Sequence, residues 1–449
     1  MTKYEYDVAV IGAGPAGGSV AGKCSSAGMK VAVIEKFGLG GTCPLVGCEP
    51  KKVLADITET VEKYNNSNKH GVLGKGSVEW SELIKFKRSF TDPITAIVRR
   101  HYISKGIDVF DGPAVFSGPQ SIKVKGKEIH AKKICIAGGA RPRTMGITGE
   151  ELVSTSTDFF EFDELPKRIS FIGGGFISFE LAHIAALAGV KATIINRSDR
   201  VLRNFDIDLT KRLCAKLEDI GVKIVMNEPA VSLQKTDSGL ILKTGPQGNN
   251  SFEADCFIHG AGRIPDIEGL RADIAGVETT SGGIDVNEYM QSVSNPSVYA
   301  AGDVVNRGMP LTPVASLEAE IAADSIINGN NKTIDYGLIP YALFTYPPIA
   351  AVGLLEEKAR EKGLDFEVLS KDASRWSEYK RLGQDCAEFK LLIEKGSRLI
   401  LGAHIMGDRA EEIINLITLG MRCGITIDAL ADMVWAYPSF GYTLKYLLR

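Results

Sequence analysis

Two cysteines five residues apart are the first candidates for chemistry, in Gly40-Gly41-Thr42-Cys43-Pro44-Leu45-Val46-Gly47-Cys48-Glu49-Pro50-Lys51-Lys52. On a regular helix their Cα atoms would lie roughly 8–9 Å apart, from a ~1.5 Å rise and ~100° turn per residue. A disulfide spans about 7 Å at most. A bridge between them therefore needs a distorted turn, and Pro44, Gly47 and Pro50 are residue types that distort one. Strain would make the bridge easier to reduce, and a helix start would stabilise a thiolate. Two unrelated thiols are the plain alternative. Glu180 is a further candidate, because a carboxylate among Phe176, Ile177, Phe179 and Leu181 needs a partner unless it faces solvent.

The elements that would position these groups appear as an internal repeat. Val8-Ala9-Val10-Ile11 runs into Gly12-Ala13-Gly14-Pro15-Ala16-Gly17, which reads as a buried strand, a glycine-rich turn and a helix start. Ile169-Ser170-Phe171-Ile172 followed by Gly173-Gly174-Gly175-Phe176-Ile177-Ser178 repeats it, with Ser170 weakening the strand signal. Gly28 and Gly189 each lie 16 residues after the first glycine of their copy. Strands are predicted over 30–34 and 191–195, so the register is kept and the chain carries two βαβ nucleotide-binding units. Gly12 and Gly173 permit the tight turn, and Gly14 and Gly175 let the backbone approach a pyrophosphate. The third position takes Gly17 or Ser178, and the pyrophosphate would sit on amides at the helix start.

The two strand ends differ. Glu35 lies 23 residues after Gly12, where a carboxylate binds an adenosine ribose, and the same offset from Gly173 gives Asn196. A neutral residue beside Arg197 and Arg203 suits a 2′-phosphate, which predicts NADPH rather than NADH. Arginines that merely decorate the surface are the alternative.

The 449 residues allow about three domains at ~150 residues each. With 44% hydrophobic residues a substantial core can form, and a net charge of −3 does not suggest a nucleic acid or an anionic membrane as partner. No apolar run is long enough to span a bilayer, and from the polar start secretion is not expected. Eight cysteines form no dense disulfide framework, so a reducing, cytoplasmic setting is expected. Cys24, Cys135, Cys214, Cys256, Cys386 and Cys423 read as structural. No spacing fits a structural zinc site, and no metal is expected.

The cysteine segment resembles the active-site motif of the class I pyridine nucleotide-disulfide oxidoreductases. That family includes glutathione reductase, dihydrolipoamide dehydrogenase and mercuric reductase. Ala300-Ala301-Gly302-Asp303 with Leu311-Thr312-Pro313-Val314-Ala315 resembles its second FAD segment, and Ala137–Pro142 and Gly260–Pro265, with Gly262 and Arg263, resemble its domain-crossing segments. Phe344–Ala350 and Gly402–Gly407 resemble its dimerisation domain. The resemblance implies an α/β fold of two Rossmann-like domains, for FAD and NAD(P), plus a C-terminal α+β dimerisation domain. The expected boundaries are 1–145 and 266–335 for FAD, 146–265 for the nicotinamide nucleotide, and 336–449 for dimerisation. It also implies that Gly41, Thr42, Asp303 and Ala315 contact FAD and that Cys43–Cys48 is the redox-active disulfide. Cys48 would form the thiolate facing the flavin, and Cys43 would attack the acceptor. Lys51 and Glu180 match an ion pair beside the flavin, and Phe176 matches an aromatic gate.

One departure bears on the acceptor. The family's His-Pro-Thr-x-x-Glu is here Tyr437-Pro438-Ser439-Phe440-Gly441-Tyr442, and no histidine follows His404. An ordinary phenol, with a pKa near ~10, is a poor base at neutral pH. Mercuric reductases also have tyrosine there, although this sequence ends without their cysteine pair. The expectation is a homodimeric flavoprotein oxidoreductase with an unknown disulfide or thiol-reactive acceptor. A mercuric-type metal-ion reductase and a slow flavin–dithiol redox sensor are the alternatives.

Overall fold

A computed structural model describes residues 4–447. The chain divides into two compact units. The first comprises Met1–Lys51, Phe86–Arg143 and Gly262–Tyr336, and the second Lys52–Lys85, Thr144–Ala261 and Gly337–Arg449.

In the first unit, Tyr6–Ile11 lies between Val31–Glu35 and Lys127–Ile136, paired in parallel with both. Asp108–Asp111 continues the sheet on one side and Val298–Ala300 on the other. Tyr6–Ile11, Val31–Glu35 and Val298–Ala300 are almost continuously apolar because they are buried on both faces, as is the end of Lys127–Ile136. The strand order reverses at Tyr6–Ile11, and the glycine turn lies at its carboxyl end, the position where open α/β sheets bind ligands. The second strand is displaced by one residue from its expected span and includes Glu35.

The second unit repeats this arrangement. Arg168–Ile172 lies between Lys191–Ile195 and Cys256–His259, all parallel, with Lys223–Val225 outermost. Ser170 does not weaken the strand: it is buried and pairs with Thr193 on one side and Phe257 on the other. An antiparallel sheet of Ala230–Thr236, Gly239–Thr244 and Asn250–Ala254 accompanies it. The C-terminal part is a five-stranded antiparallel sheet in the order Tyr341–Leu343, Ile349–Gly353, Ile400–Met406, Glu388–Glu394, Phe366–Asp372. The helix Ala410–Arg422 buries Ile413, Ile414 and Ile417 in the same core.

Among the described residues, one cluster has metal-ligand composition: Asp206, Asp208 and Glu356. The Lys390 ammonium occupies its centre, 2.9 Å from each aspartate and 2.7 Å from Glu356. A buried cation of the chain itself therefore balances these carboxylates. Among the described residues, no helix is long and apolar enough to cross a membrane.

Candidate functional site

The cysteine segment shows how the sequence brings its two sulfurs together. The helix Thr42–Val46 stops at Gly47, whose φ of −137° and ψ of −111° are far from helical. A new helix, Cys48–Ser67, starts at the next residue. The two cysteines thus lie on separate helices across a break. Both are free thiols in this structure, the reduced form of the pair.

The thiols hydrogen-bond to each other, and the pair is electrostatically unequal. Cys48 is lowered to about 6, first by the hydrogen bond from Cys43, with burial opposing and Thr312 and Lys51 helping. Cys43 is pushed well up, first by that same hydrogen bond and then by burial. One shared proton explains both directions: it stays on Cys43 and solvates charge on Cys48. The Thr312 hydroxyl lies against both sulfurs, donating to Cys43 Sγ at 3.3 Å and lying 3.5 Å from Cys48 Sγ. Thr312 was not among the candidates read from sequence.

Thr312 opens the helix Thr312–Asn328, where a proline comes next in the first turn. Ala315 and Glu318 recur at three-residue spacing and share its face. Glu318 is 1% exposed; it accepts from the Gly302 amide at 2.7 Å and from the Tyr336 hydroxyl at 2.7 Å. Burial pushes its carboxyl up to about 7. Glu318 therefore holds the turn that presents Asp303, whose own carboxyl is pushed up by burial and drawn down by the Arg263 charge. The Arg263 guanidinium donates to the Ala140 carbonyl, and Gly262 accepts from the Arg143 amide at 3.0 Å. The apolar look of Thr312–Asn328 hid Glu318; its spacing from Thr312 was the available signal.

The residues of the first glycine turn fit FAD. Gly12 has φ +102°, and a Cβ there would meet the Ala137 carbonyl oxygen at 2.2 Å. Gly41 has φ +70° and passes so close to Gly14 that a Cβ would lie 2.5 Å from its Cα. A side chain on Gly14 would have nothing nearer than 3.8 Å, so a bare-backbone cradle is left at the start of Pro15–Ser26. No side chain caps that helix start, and its amides suit a pyrophosphate. Glu35 ends the adjacent strand and accepts from the Ala13 and Phe37 amides at 2.7 Å each. Gly17 packs where the helix meets the strand, and Thr42 is exposed at the start of its short helix.

The second turn keeps the backbone and changes the polarity. Gly173 has φ +112°, and a Cβ there would lie 2.4 Å from the Gly260 carbonyl oxygen. Gly175 precedes the helix Phe176–Leu187, also without a side-chain cap. Phe176, its first residue, is 52% exposed. Asn196 is buried, and its Nδ2 donates to the Ser198 carbonyl at 2.9 Å and the Arg200 carbonyl at 3.1 Å. It organises the loop that carries the arginines. Arg197 is exposed, and Arg203 donates to Ser198 Oγ at 3.1 Å. Glu180, on the same helix as Phe176, is 2% exposed and accepts from the Phe344 amide at 2.9 Å. Lys51 belongs to the first unit and Glu180 to the second. Tyr437 is 64% exposed in the single chain, edge-on to Tyr442 at 4.8 Å.

A family model described as pyridine nucleotide-disulphide oxidoreductase matches residues 6–319, and one for the dimerisation domain of the same group matches 339–447. The chain belongs to the pyridine nucleotide-disulphide oxidoreductases. It is thus an FAD-dependent, nicotinamide-linked enzyme that carries the family's dimerisation domain. It is 33% identical to a glutathione reductase of Burkholderia cepacia over 95% of this chain and 94% of that protein. It is 32% identical to a mercuric reductase of Lysinibacillus sphaericus over 99% of this chain and 82% of that protein. The fold matches the HOCl-induced flavoprotein disulfide reductase RclA from Escherichia coli, with a TM-score of 0.89 and 26% identity over 99% of both chains. A Cu(II) complex of RclA matches with a TM-score of 0.88 and 26% identity, covering 100% of this chain and 99% of that one.

Proposed function

We propose that this oxidoreductase takes electrons from NADPH and delivers them through the Cys43/Cys48 pair to a thiol-reactive acceptor other than glutathione disulfide or lipoamide. The unequal cysteine pair carries this reading: Cys48 is poised as thiolate and Cys43 as the protonated partner that meets the acceptor. Bound FAD would accept hydride from the nicotinamide and pass the electron pair to the disulfide. Gly12, Gly14, Gly41 and Glu35 would hold its adenosine and pyrophosphate, and Asp303, supported by Glu318, its ribityl chain. Gly173, Gly175, Arg197 and Arg203 would hold NADPH, with Asn196 shaping their loop. FAD would use 1–145 and 266–335, the nicotinamide nucleotide 146–265, and the dimer interface 336–449, in a cytoplasmic homodimer.

Tyr437-Pro438 stands where the family's histidine would be, which removes general acid–base help worth about 10²–10⁴-fold. Disulfide acceptors that rely on that help should turn over slowly. The similarity to a mercuric reductase, and the Cu(II) complex of RclA, favour a metal ion as a second reading of the acceptor.

NADPH oxidation should be measured anaerobically against glutathione disulfide, lipoamide, quinones, Hg(II) and Cu(II), and separately against oxygen. Fast turnover with a thiol-reactive acceptor and slow turnover with the first two is the expected result. Turnover of glutathione disulfide or lipoamide as fast as flavin reduction would overturn the proposal. No turnover with any acceptor would favour a redox sensor. The Cys48 thiolate of the reduced enzyme should be lost as pH falls through about 6, seen as decay of long-wavelength absorbance. That band should be absent in Cys48→Ser.

A further inference from the structure

We propose that Lys390 is a positioning residue for the nicotinamide nucleotide: through Asp206 it pins the far end of the loop that carries Arg197 and Arg203. This rests on the proposed function, in which those arginines hold NADPH, and it names what fixes them from outside the nucleotide-binding segment. Lys390 lies on Glu388–Glu394, a strand of the C-terminal five-stranded sheet. A part of the chain assigned to dimerisation would thus also set how tightly NADPH is held.

The loop leaves the strand Lys191–Ile195 and enters the helix Ile207–Asp219. Asn196 closes its near end on the Ser198 and Arg200 carbonyls. In its middle, Leu202 has φ +45°, a left-handed conformation that a branched side chain keeps only where its surroundings impose it. The Leu202 amide donates to the Gly174 carbonyl at 2.8 Å, which ties the loop to the glycine turn. The far end is Asp206. Its Oδ1 accepts from the Asp208 and Leu209 amides at 3.0 and 3.4 Å and caps the helix. Its Oδ2 lies 2.9 Å from Lys390 Nζ, and the same ammonium reaches Asp208 at 2.9 Å and Glu356 at 2.7 Å. The neighbouring Glu357 pairs with Arg200 at 2.6 Å, and the Tyr341 hydroxyl donates to the Asn204 carbonyl. The C-terminal region therefore grips this loop at three points.

Stability alone is the competing account of this cluster. The side chains of Lys390 and Asp206 are 4% and 2% exposed. Charges buried this deeply lose about as much hydration as they regain by pairing, and apolar residues of similar volume often stabilise as well. What a buried ion pair adds is a fixed register. Burial opposes the charge on Lys390, but Asp208, Glu356 and Asp206 outweigh it and hold the ammonium above its ordinary value. The pin is therefore charged throughout the physiological range. Register matters here because an arginine recognises a phosphate through a planar fork of donors, which a small displacement of the loop would misalign. Arg203 directly follows the strained Leu202, so a released loop would relax at the residue next to it.

The test uses oxidised holoenzyme titrated with NADP⁺ by calorimetry. Anaerobic stopped-flow reduction of the flavin by NADPH and by NADH then gives the half-saturating concentration and the limiting rate separately. The variants are Lys390→Met and Asp206→Asn; asparagine keeps the helix cap while ending the ion pair. Bound FAD and a cooperative melt show that a variant is folded, and if Lys390→Met is not, Asp206→Asn carries the test. Each should weaken NADP⁺ and raise half-saturating NADPH about three- to tenfold, as expected of a residue that acts through others, with the limiting rate and half-saturating NADH within about twofold of wild type. Added to Arg197→Ala/Arg203→Ala, either variant should cause no further loss. Unchanged NADP⁺ binding, an equal loss for NADH, or a full further loss without the arginines overturns the proposal. If the arginine pair alone leaves nucleotide preference unchanged, the reading of those arginines fails, and this proposal with it. If that pair shifts the preference and neither Lys390→Met nor Asp206→Asn does, only the positioning role fails.

Discussion

The two glycine turns share a backbone and divide their labour by the residue at the strand end. At Glu35 a carboxylate accepts two backbone amides; at Asn196 an amide donates to two backbone carbonyls. The first arrangement leaves a negative group beside a bare helix start. The second leaves a neutral residue at the strand end, in a loop that carries Arg197, Arg200 and Arg203. A second contrast is reciprocal. Where helix meets strand, the first copy pairs Gly17 with Ala137, and a Cβ on Gly17 would lie 1.9 Å from the Gly12 carbonyl oxygen. The second copy carries Ser178 on its helix and compensates with Gly260, where a Cβ would lie 1.9 Å from Ser178 Oγ. Space has been kept in both copies by placing the missing side chain on opposite partners. On the proposed assignment, nucleotide choice would be set at the strand end, while packing constrains the turns themselves.

The sharpest way to break this comparison is to fill each tight turn. Gly12→Ala should yield colourless protein, and Gly173→Ala should keep its FAD while losing reduction by NADPH. Each meets a carbonyl oxygen at 2.2 or 2.4 Å on a backbone that disfavours side chains. FAD released on denaturation and stopped-flow reduction read the two outcomes; yellow Gly12→Ala protein would undo the assignment of the first turn. Next in size is Glu35→Gln, which sets an amide NH₂ against a backbone N–H. A loss of about 1.5–3 kcal/mol should weaken FAD at least about tenfold, measured by titrating apoprotein. Gly260→Ala should destabilise by about 1–3 kcal/mol in urea, and Ser178→Gly in the same chain should recover most of it. Failure of that rescue would show that the swap is coincidental. The smallest change expected is in Arg197→Ala/Arg203→Ala, where the ratio of kcat/KM for NADPH over NADH should fall about tenfold. An unchanged ratio would remove the arginines from nucleotide choice.

Much of this was readable from residue order because nucleotide turns are local. Glycine spacing, apolar strands and the strand-end residue all fall within one βαβ unit, and the distorted cysteine turn was legible from Pro44 and Gly47. The features that escaped depend on partners distant in sequence. Thr312 reaches the sulfurs from more than 260 positions away, and Glu318 reads as an ordinary helix residue until Gly302 and Tyr336 close on it. Asn196 was legible as neutral but not as a loop organiser, because its partners are carbonyls that any sequence supplies. Lys390 and its three acids come from three separate segments, and no spacing in the sequence singled them out.

The helix that begins at Thr312 acts as a ruler. The sulfur contact, the small Ala315 and the Glu318 support for Gly302 are spaced by successive turns of one rod. Each residue added to or removed from that rod would rotate every later position by ~100° and shift it by ~1.5 Å. Substitutions facing solvent would leave the marks in place, whereas one inserted or deleted residue between Thr312 and Glu318 would uncouple the sulfurs from the Asp303 turn. The length of this segment is therefore under tighter constraint than most of its letters.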